Sequence, residues 1–221
     1  DAFYTLGAFR LLGHFEEREQ FLDFLLNVAS STPDLDLAPL YRVDGKSDLT
    51  EQTLEGWPGY LGNQPVRVGN GAALHRQHDV FGEMVLAFTP LFLDARFRDH
   101  VTPPVLDLVA RLTDKAIAVA GQPDAGIWEV RNTWRPQPFS TLMCWAAADR
   151  MSRIAAAHRP DAAARYAAAA ASLRSELLTH AVHPTRGCLV ADHGGTEVDA
   201  ALLQAITLNF LAPDDPIAGR T

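Results

Sequence analysis

The chain has 221 residues, 48% hydrophobic and 21% charged, the balance of a globular domain with room for one substantial core. Its formal net charge of −8, without runs of Lys or Arg, excludes nucleic acid and anionic membrane as expected partners. No apolar stretch reaches the roughly 20 residues that span a bilayer. Cys144 and Cys188 are too few for a disulfide framework and lack a CxxC zinc spacing, so buried free thiols in a reducing cytoplasm are expected.

The dominant signal along the chain is helical. Seven helices are predicted, near 1–13, 16–30, 72–93, 103–121, 140–158, 161–182 and 197–209. The second carries Phe21, Leu22, Leu25, Leu26 and Val28 near the i, i+3, i+4, i+7 spacing of a half-buried helix. Thr102-Pro103 reads as an N-cap followed by Pro at N1, and Gly121 as the residue that ends that helix. Pro160-Asp161 opens an Ala-rich helix, and Thr196 and Asp199 resemble a cap ahead of Leu202, Leu203 and Ile206. Strand signals are short and few, at about 39–43 and 188–191, with no βαβ alternation.

The connections alternate in length. Gly13-His14-Phe15 and His158-Arg159-Pro160 are tight turns, whereas about 31–71 and 122–139 are long. Helical hairpins set around an axis, in a toroid or a solenoid, have this alternation, although no close repeat is present. Long ordered loops in compact domains are usually functional. Loop 44–70 holds Asp44, Glu51, Glu55, Trp57, Tyr60, Arg67 and Asn70, and loop 122–139 holds Asp124, Trp128, Glu129, Arg131 and Trp134. Aromatics beside carboxylates and Arg suit a sugar: rings stack on the apolar face of the pyranose and charged groups bind its hydroxyls. Glu129 follows Ile127-Trp128, and apolar neighbours favour the neutral carboxyl that a general acid needs, while Arg131 opposes that shift. On these grounds alone a solvated loop Glu remains the commoner case. His75 and His78 are insufficient as a metal site, and Asp79 with Glu83, four apart, read as a polar helix face.

Several blocks resemble one enzyme family in its own order. Pro123-Asp124-Ala125-Gly126-Ile127-Trp128-Glu129-Val130-Arg131 resembles the PDxGIWExR motif of bacterial glycoside hydrolase family 15. Asp1-Ala2-Phe3-Tyr4-Thr5-Leu6-Gly7-Ala8-Phe9 resembles RDAxYTLxAF, and Gly59-Tyr60 with Pro65-Val66-Arg67-Val68-Gly69-Asn70 resembles GYxxSxPVRIGN. Gln77 to Glu83 resembles QLDVYGE, Met143 to Arg150 resembles MCWVALDR, and Asp199 to Leu203 resembles DASLL.

This resemblance implies an all-α fold, part of an (α/α)6 toroid, with residues 1–221 as a single partial catalytic domain. It implies inverting hydrolysis of terminal α-linked glucose in an α-glucan or α-glucoside, of glucoamylase or trehalase type, without cofactor or metal. Glu129 becomes the general acid, and Asp1, Arg67, Asn70, Trp128 and Arg131 bind the substrate. The matching general base falls after the Asp199 block and is expected outside this chain. The first residue is not Met and the end reads as a loop, so an excerpt lacking its N-terminal start and C-terminal helices is expected. Such a piece is expected to be inactive alone and to associate with copies of itself or with the absent segments. Thr141 stands where the family usually has Lys, His75 where Gln is common and Trp57 where Leu is common. The alternative is a non-catalytic carbohydrate-binding or interaction domain on the same scaffold.

Overall fold

The computed structural model describes residues 2–221, with no account of the side chains of residues 98–100. The helices are α1 (Ala2–Leu12), α2 (Phe15–Ser31), α3 (Asp79–Leu93), α4 (Pro103–Val119), α5 (Pro138–His158), α6 (Pro160–His180) and the short α7 (Gln204–Thr207). Three antiparallel hairpins, α1–α2, α3–α4 and α5–α6, form two layers. Helices α1, α3 and α5 lie side by side in that order, and α2, α4 and α6 pack behind them.

Side-chain patterning explains the layers. α3 and α5 bury residues around most of their circumference, from Phe81 to Phe88 and from Pro138 to Ala148, as helices enclosed on all sides must. α2 and α6 bury only a stripe, such as Leu22, Leu25 and Val28 or Tyr166, Leu173 and Leu177. Ala146, Ala147 and Ala155 on α5 and Ala170 on α6 belong to the shared core, with Ala163 packed against it, and their small side chains let that hairpin close tightly. On the outer surface Arg165 pairs with Asp114 at 2.9 Å, and Arg159 pairs with Asp107, linking α6 to α4.

Proline occupies the first turn of α4, α5 and α6, where a missing N–H is harmless. Gly121 takes a φ of +73° just past α4, as expected. Thr102 precedes α4 but its hydroxyl makes no capping bond. Cys144 and Cys188 are free and buried. Among the described residues no helix is long and apolar enough to cross a membrane.

Two predicted helices are shorter and divided. The one expected over 72–93 is a 3-10 turn, Gly71–Leu74, capped by the Asn70 side chain, followed by α3 from Asp79. The one expected over 197–209 is a 3-10 turn, Ala200–Leu203, that runs into α7. No strand forms at 39–43, where the Arg42 N–H instead meets the Lys46 carbonyl in a turn. At 188–191 only an isolated bridge joins Leu189 to Val182. The strands lie in the long loops: β1 (Gln52–Thr53) with β2 (Arg67–Val68), and β3 (Pro123–Asp124) with β4 (Arg135–Pro136), both antiparallel. Two-residue strands containing Pro, Asp and Arg carry no apolar alternation, so the sequence gives no sign of them.

The inner helices α3 and α5 approach closely at Gly82. A Cβ added there would lie 2.2 Å from the Met143 carbonyl oxygen. The obstacle is backbone, so the helices themselves would have to separate. Gly82→Ala should destabilise the fold by roughly 1–3 kcal/mol, at the upper end of that range. Urea unfolding with an unchanged midpoint would contradict this.

Candidate active site

The loop between α4 and α5 is pinned by a buried carboxylate. Asp124 Oδ2 accepts the His78 N–H at 2.7 Å, just before α3, and the Ser140 hydroxyl at 2.7 Å, in the first turn of α5. Burial raises the Asp124 pKa, and the two donated hydrogen bonds work against that rise. Helix N-termini on both sides add favourable dipoles. Next in the chain, the Ala125 N–H reaches the Arg76 carbonyl at 2.9 Å.

A tight turn follows. The Val130 N–H bonds to the Ala125 carbonyl at 2.9 Å, and the Glu129 N–H to the Gly126 carbonyl at 3.1 Å. This nested pair is the hydrogen-bond pattern of a Schellman turn, whose penultimate residue is left-handed and usually Gly. Here that residue is Glu129, with φ at +54°. A side chain in this conformation costs roughly 1–2 kcal/mol. A half-buried carboxyl-bearing residue thus occupies a position where backbone energetics favour glycine.

The residues expected to bind substrate fall into two groups around this turn. Trp128 is 67% exposed and donates its indole N–H to Asp199 Oδ2 at 2.7 Å. Arg131 and Arg67 converge on one carboxylate, Glu51, at 3.6 Å and 3.5 Å, and the Gly71 N–H donates to it at 3.2 Å. Asn70 sits beside them, its side chain accepting the Ala72 N–H at 2.9 Å. Asp1 lies outside the described residues. The sequence names Glu51 only as one of the loop carboxylates, not as the partner of these arginines. Its signal is the presence of two arginines at matched motif positions, which require a counter-charge when they converge.

Other singled-out residues are structural. Asp149 pairs with Arg150 and Arg153, and Arg150 also donates to the Leu208 carbonyl at 2.8 Å, fastening α7 to α5. Trp134 stands edge-on to His75 and donates to the Val130 carbonyl at 3.0 Å. Thr141 is buried, its hydroxyl returned to the Gln137 carbonyl at 3.1 Å, so the position usually held by Lys offers no charge to a sugar. Trp57 and Tyr60 are exposed on the long loop.

A cavity of about 220 Å³ runs between the acid-bearing turn and the helices. Ile127 and Glu129 line one side, Leu25 and Met84 lie on the wall, and Gln77, Asp79 and Glu83 supply polar groups. The polar helix face expected at Asp79 and Glu83 is corrected here: both are buried, at 4% and 8% exposure, because α3 is an inner helix. Asp79 Oδ1 has no hydrogen-bond partner. Burial, then the charges of Glu83 and Asp124, push the Asp79 carboxyl up to about 7. Burial, then the charges of Glu83 and Asp79, likewise raise the Tyr4 phenol on α1. Among the described residues no group of three or more His, Cys, Asp or Glu is placed to hold a metal ion.

Two measurements probe these strained and buried acids. Glu129→Gly should stabilise the fold by roughly 0.5–1 kcal/mol, because it relieves the left-handed conformation, while Glu129→Gln should not. Equal midpoints for the two variants would remove the strain. Asp79 has a folded pKa above its unfolded value, so its favourable contribution is complete below about pH 4 and lost as pH rises to about 7. Asp79→Asn should therefore gain stability over the parent chain between pH 4 and pH 8, by a few kcal/mol on the order of magnitude that linkage gives. A pH-independent difference would contradict the buried neutral carboxyl.

A model of the family described as Glycosyl hydrolases family 15 matches residues 1–218. The trehalase of Mycobacterium tuberculosis is 34% identical over 98% of this chain, which corresponds to 32% of that relative's length. The trehalase of Thermoplasma volcanium is 28% identical over 97% of the chain and 34% of its own length. The chain thus spans about a third of the length of the curated relatives it matches. A solved glycosidase aligns with 72% of this chain and 43% of its own, at a TM-score of 0.58 and 20% identity, a likeness that speaks for the helical fold alone. With the family model covering nearly every residue and the inner and outer helices arranged as an all-α toroid segment, the chain belongs to glycosyl hydrolases family 15.

Proposed function

We propose that this chain carries the acid half of an inverting α-glucoside hydrolase, acting on terminal α-linked glucose with trehalose as the first substrate to test. The observation that carries the reading is Glu129, a carboxyl-bearing residue in a turn position that favours glycine, on the wall of a cavity and within the matched family region. The trehalase relatives support the choice of sugar.

In this reading the Glu129 carboxyl delivers a proton to the glycosidic oxygen as the C–O bond breaks. A second carboxylate takes a proton from water, which attacks the anomeric carbon from the opposite face and inverts it. Inversion needs the two carboxyls roughly 6.5–9.5 Å apart, leaving space for that water. The family resemblance assigns the base to no residue of this chain. Residues 1–221 are accordingly proposed as one partial domain that hydrolyses far more slowly alone than within the whole protein. Trp128 offers an open ring face to the pyranose, and Arg67, Asn70 and Arg131, with Asp1, are proposed to bind its hydroxyls.

The test is hydrolysis of trehalose, maltose and isomaltose by the whole protein that carries this chain, by its Glu129→Gln variant and by residues 1–221 alone. Glu129→Gln should lower kcat by at least about 10²–10⁴-fold while calorimetry still detects sugar binding. An unchanged kcat takes Glu129 out of the acid role. A full rate from residues 1–221 contradicts the need for an outside base, and no hydrolysis of any α-glucoside ends the enzyme reading.

A further inference from the structure

Asp199 makes two bonds with two different jobs. Its Oδ1 accepts the Ala201 N–H at 2.8 Å and caps the 3-10 turn Ala200–Leu203. Its Oδ2 accepts the indole N–H of Trp128 at 2.7 Å, from a residue 71 positions earlier. The cap needs only one oxygen. Capping fixes the plane of the carboxylate, and the second oxygen is thereby aimed at the acid loop.

The platform under Asp199 is firm. Leu202 and Ala205 are buried at 1% and 0% exposure, and Arg150 of α5 holds the Leu208 carbonyl. Trp128 has no comparable burial; two thirds of it faces solvent. The contact through its ring edge leaves the aromatic faces uncovered by this bond. Trp134 differs, since its indole N–H bonds within its own loop to Val130, four residues away. Of the two indole N–H groups, only that of Trp128 bonds to a distant segment, and Trp128 directly precedes Glu129.

We propose that Asp199 is a positioning residue for the reaction: its carboxylate fixes the Trp128 ring beside Glu129 so that the ring can orient the sugar against the acid. The inference rests on the reading of Glu129 as the acid. A hydrogen bond to an ionised acceptor is stronger than a neutral one and more directional than stacking, so it sets the ring's angle where packing does not.

Asp199→Ser separates the two jobs. Serine is a good cap, so the turn should survive, but a single short hydroxyl that caps Ala201 has no second oxygen for the indole. Trp128→Phe keeps an aromatic ring and removes the N–H. In the whole protein, Asp199→Ser should lower kcat/KM for trehalose about tenfold or more, with an unchanged unfolding midpoint. In the Trp128→Phe background the same substitution should have no further effect, because the bond is already gone. It should also shift tryptophan emission in the parent background and leave it unshifted in the Trp128→Phe background. An equal kinetic loss in both backgrounds, or none in either, overturns the positioning role. Glu129→Gln is measured in parallel: if it retains full kcat, the acid reading falls, and the emission and kcat/KM comparison still reports whether Asp199 acts through Trp128.

Discussion

The Asp124 carboxylate anchors the base of the acid-bearing turn to the helices. One oxygen gathers a donor from the start of α3 and another from the first turn of α5. A carboxylate buried without partners would be strongly disfavoured, and two donors at helix N-termini offset that penalty. The two bonds to Asp124 Oδ2 therefore join the two inner helices at their N-terminal ends and fix where the loop begins. Five residues later stands Glu129. The Gly82–Met143 backbone contact performs the corresponding task along the helix bodies, and together the two contacts leave little freedom for the site.

The acid loop is fixed from several directions, with contacts of different strength. Asp124 and the Arg76 carbonyl hold its base from within the protein. Asp199 holds Trp128 from the segment after α6. Glu51 holds Arg131 from the long segment between α2 and α3. Three stretches distant in sequence thus meet at a short turn whose own backbone is strained at Glu129. Natural proteins retain such strain where the surrounding structure over-determines it, commonly at functional sites.

The sequence disclosed the helical framework because burial at helical spacing is a long-range pattern, repeated over several turns of α2 and α4. It disclosed hairpins because tight turns such as Gly13-His14 and Arg159-Pro160 punctuate that pattern. It did not disclose the break at 75–77 ahead of α3, where the partner of the His78 N–H is Asp124, more than forty residues away. The burial of Asp79 and Glu83 was hidden for a similar reason: which face of α3 is inner depends on α1 and α5. The family blocks pointed to Glu129, Trp128, Arg67, Asn70 and Arg131, but matching letters carry no backbone angle, and the left-handed turn at Glu129 had to come from the structure. The pairing of Glu51 with Arg67 and Arg131 was not legible because convergence of two arginines is a property of the folded loops.

The ties that hold the site also differ in what disturbs them. Arg67 and Arg131 are about half exposed where they meet Glu51, at separations longer than an ideal ion pair. Dissolved ions screen such contacts over a Debye length of about 10 Å at 0.1 M salt, and much more closely at 1 M. The Asp124 bonds are buried and lie beyond that screening. Rising ionic strength therefore loosens the long β1–β2 segment from the acid loop while leaving the acid loop seated on the helices. Of these two anchors, electrolyte reaches the one through Glu51 and not the one through Asp124.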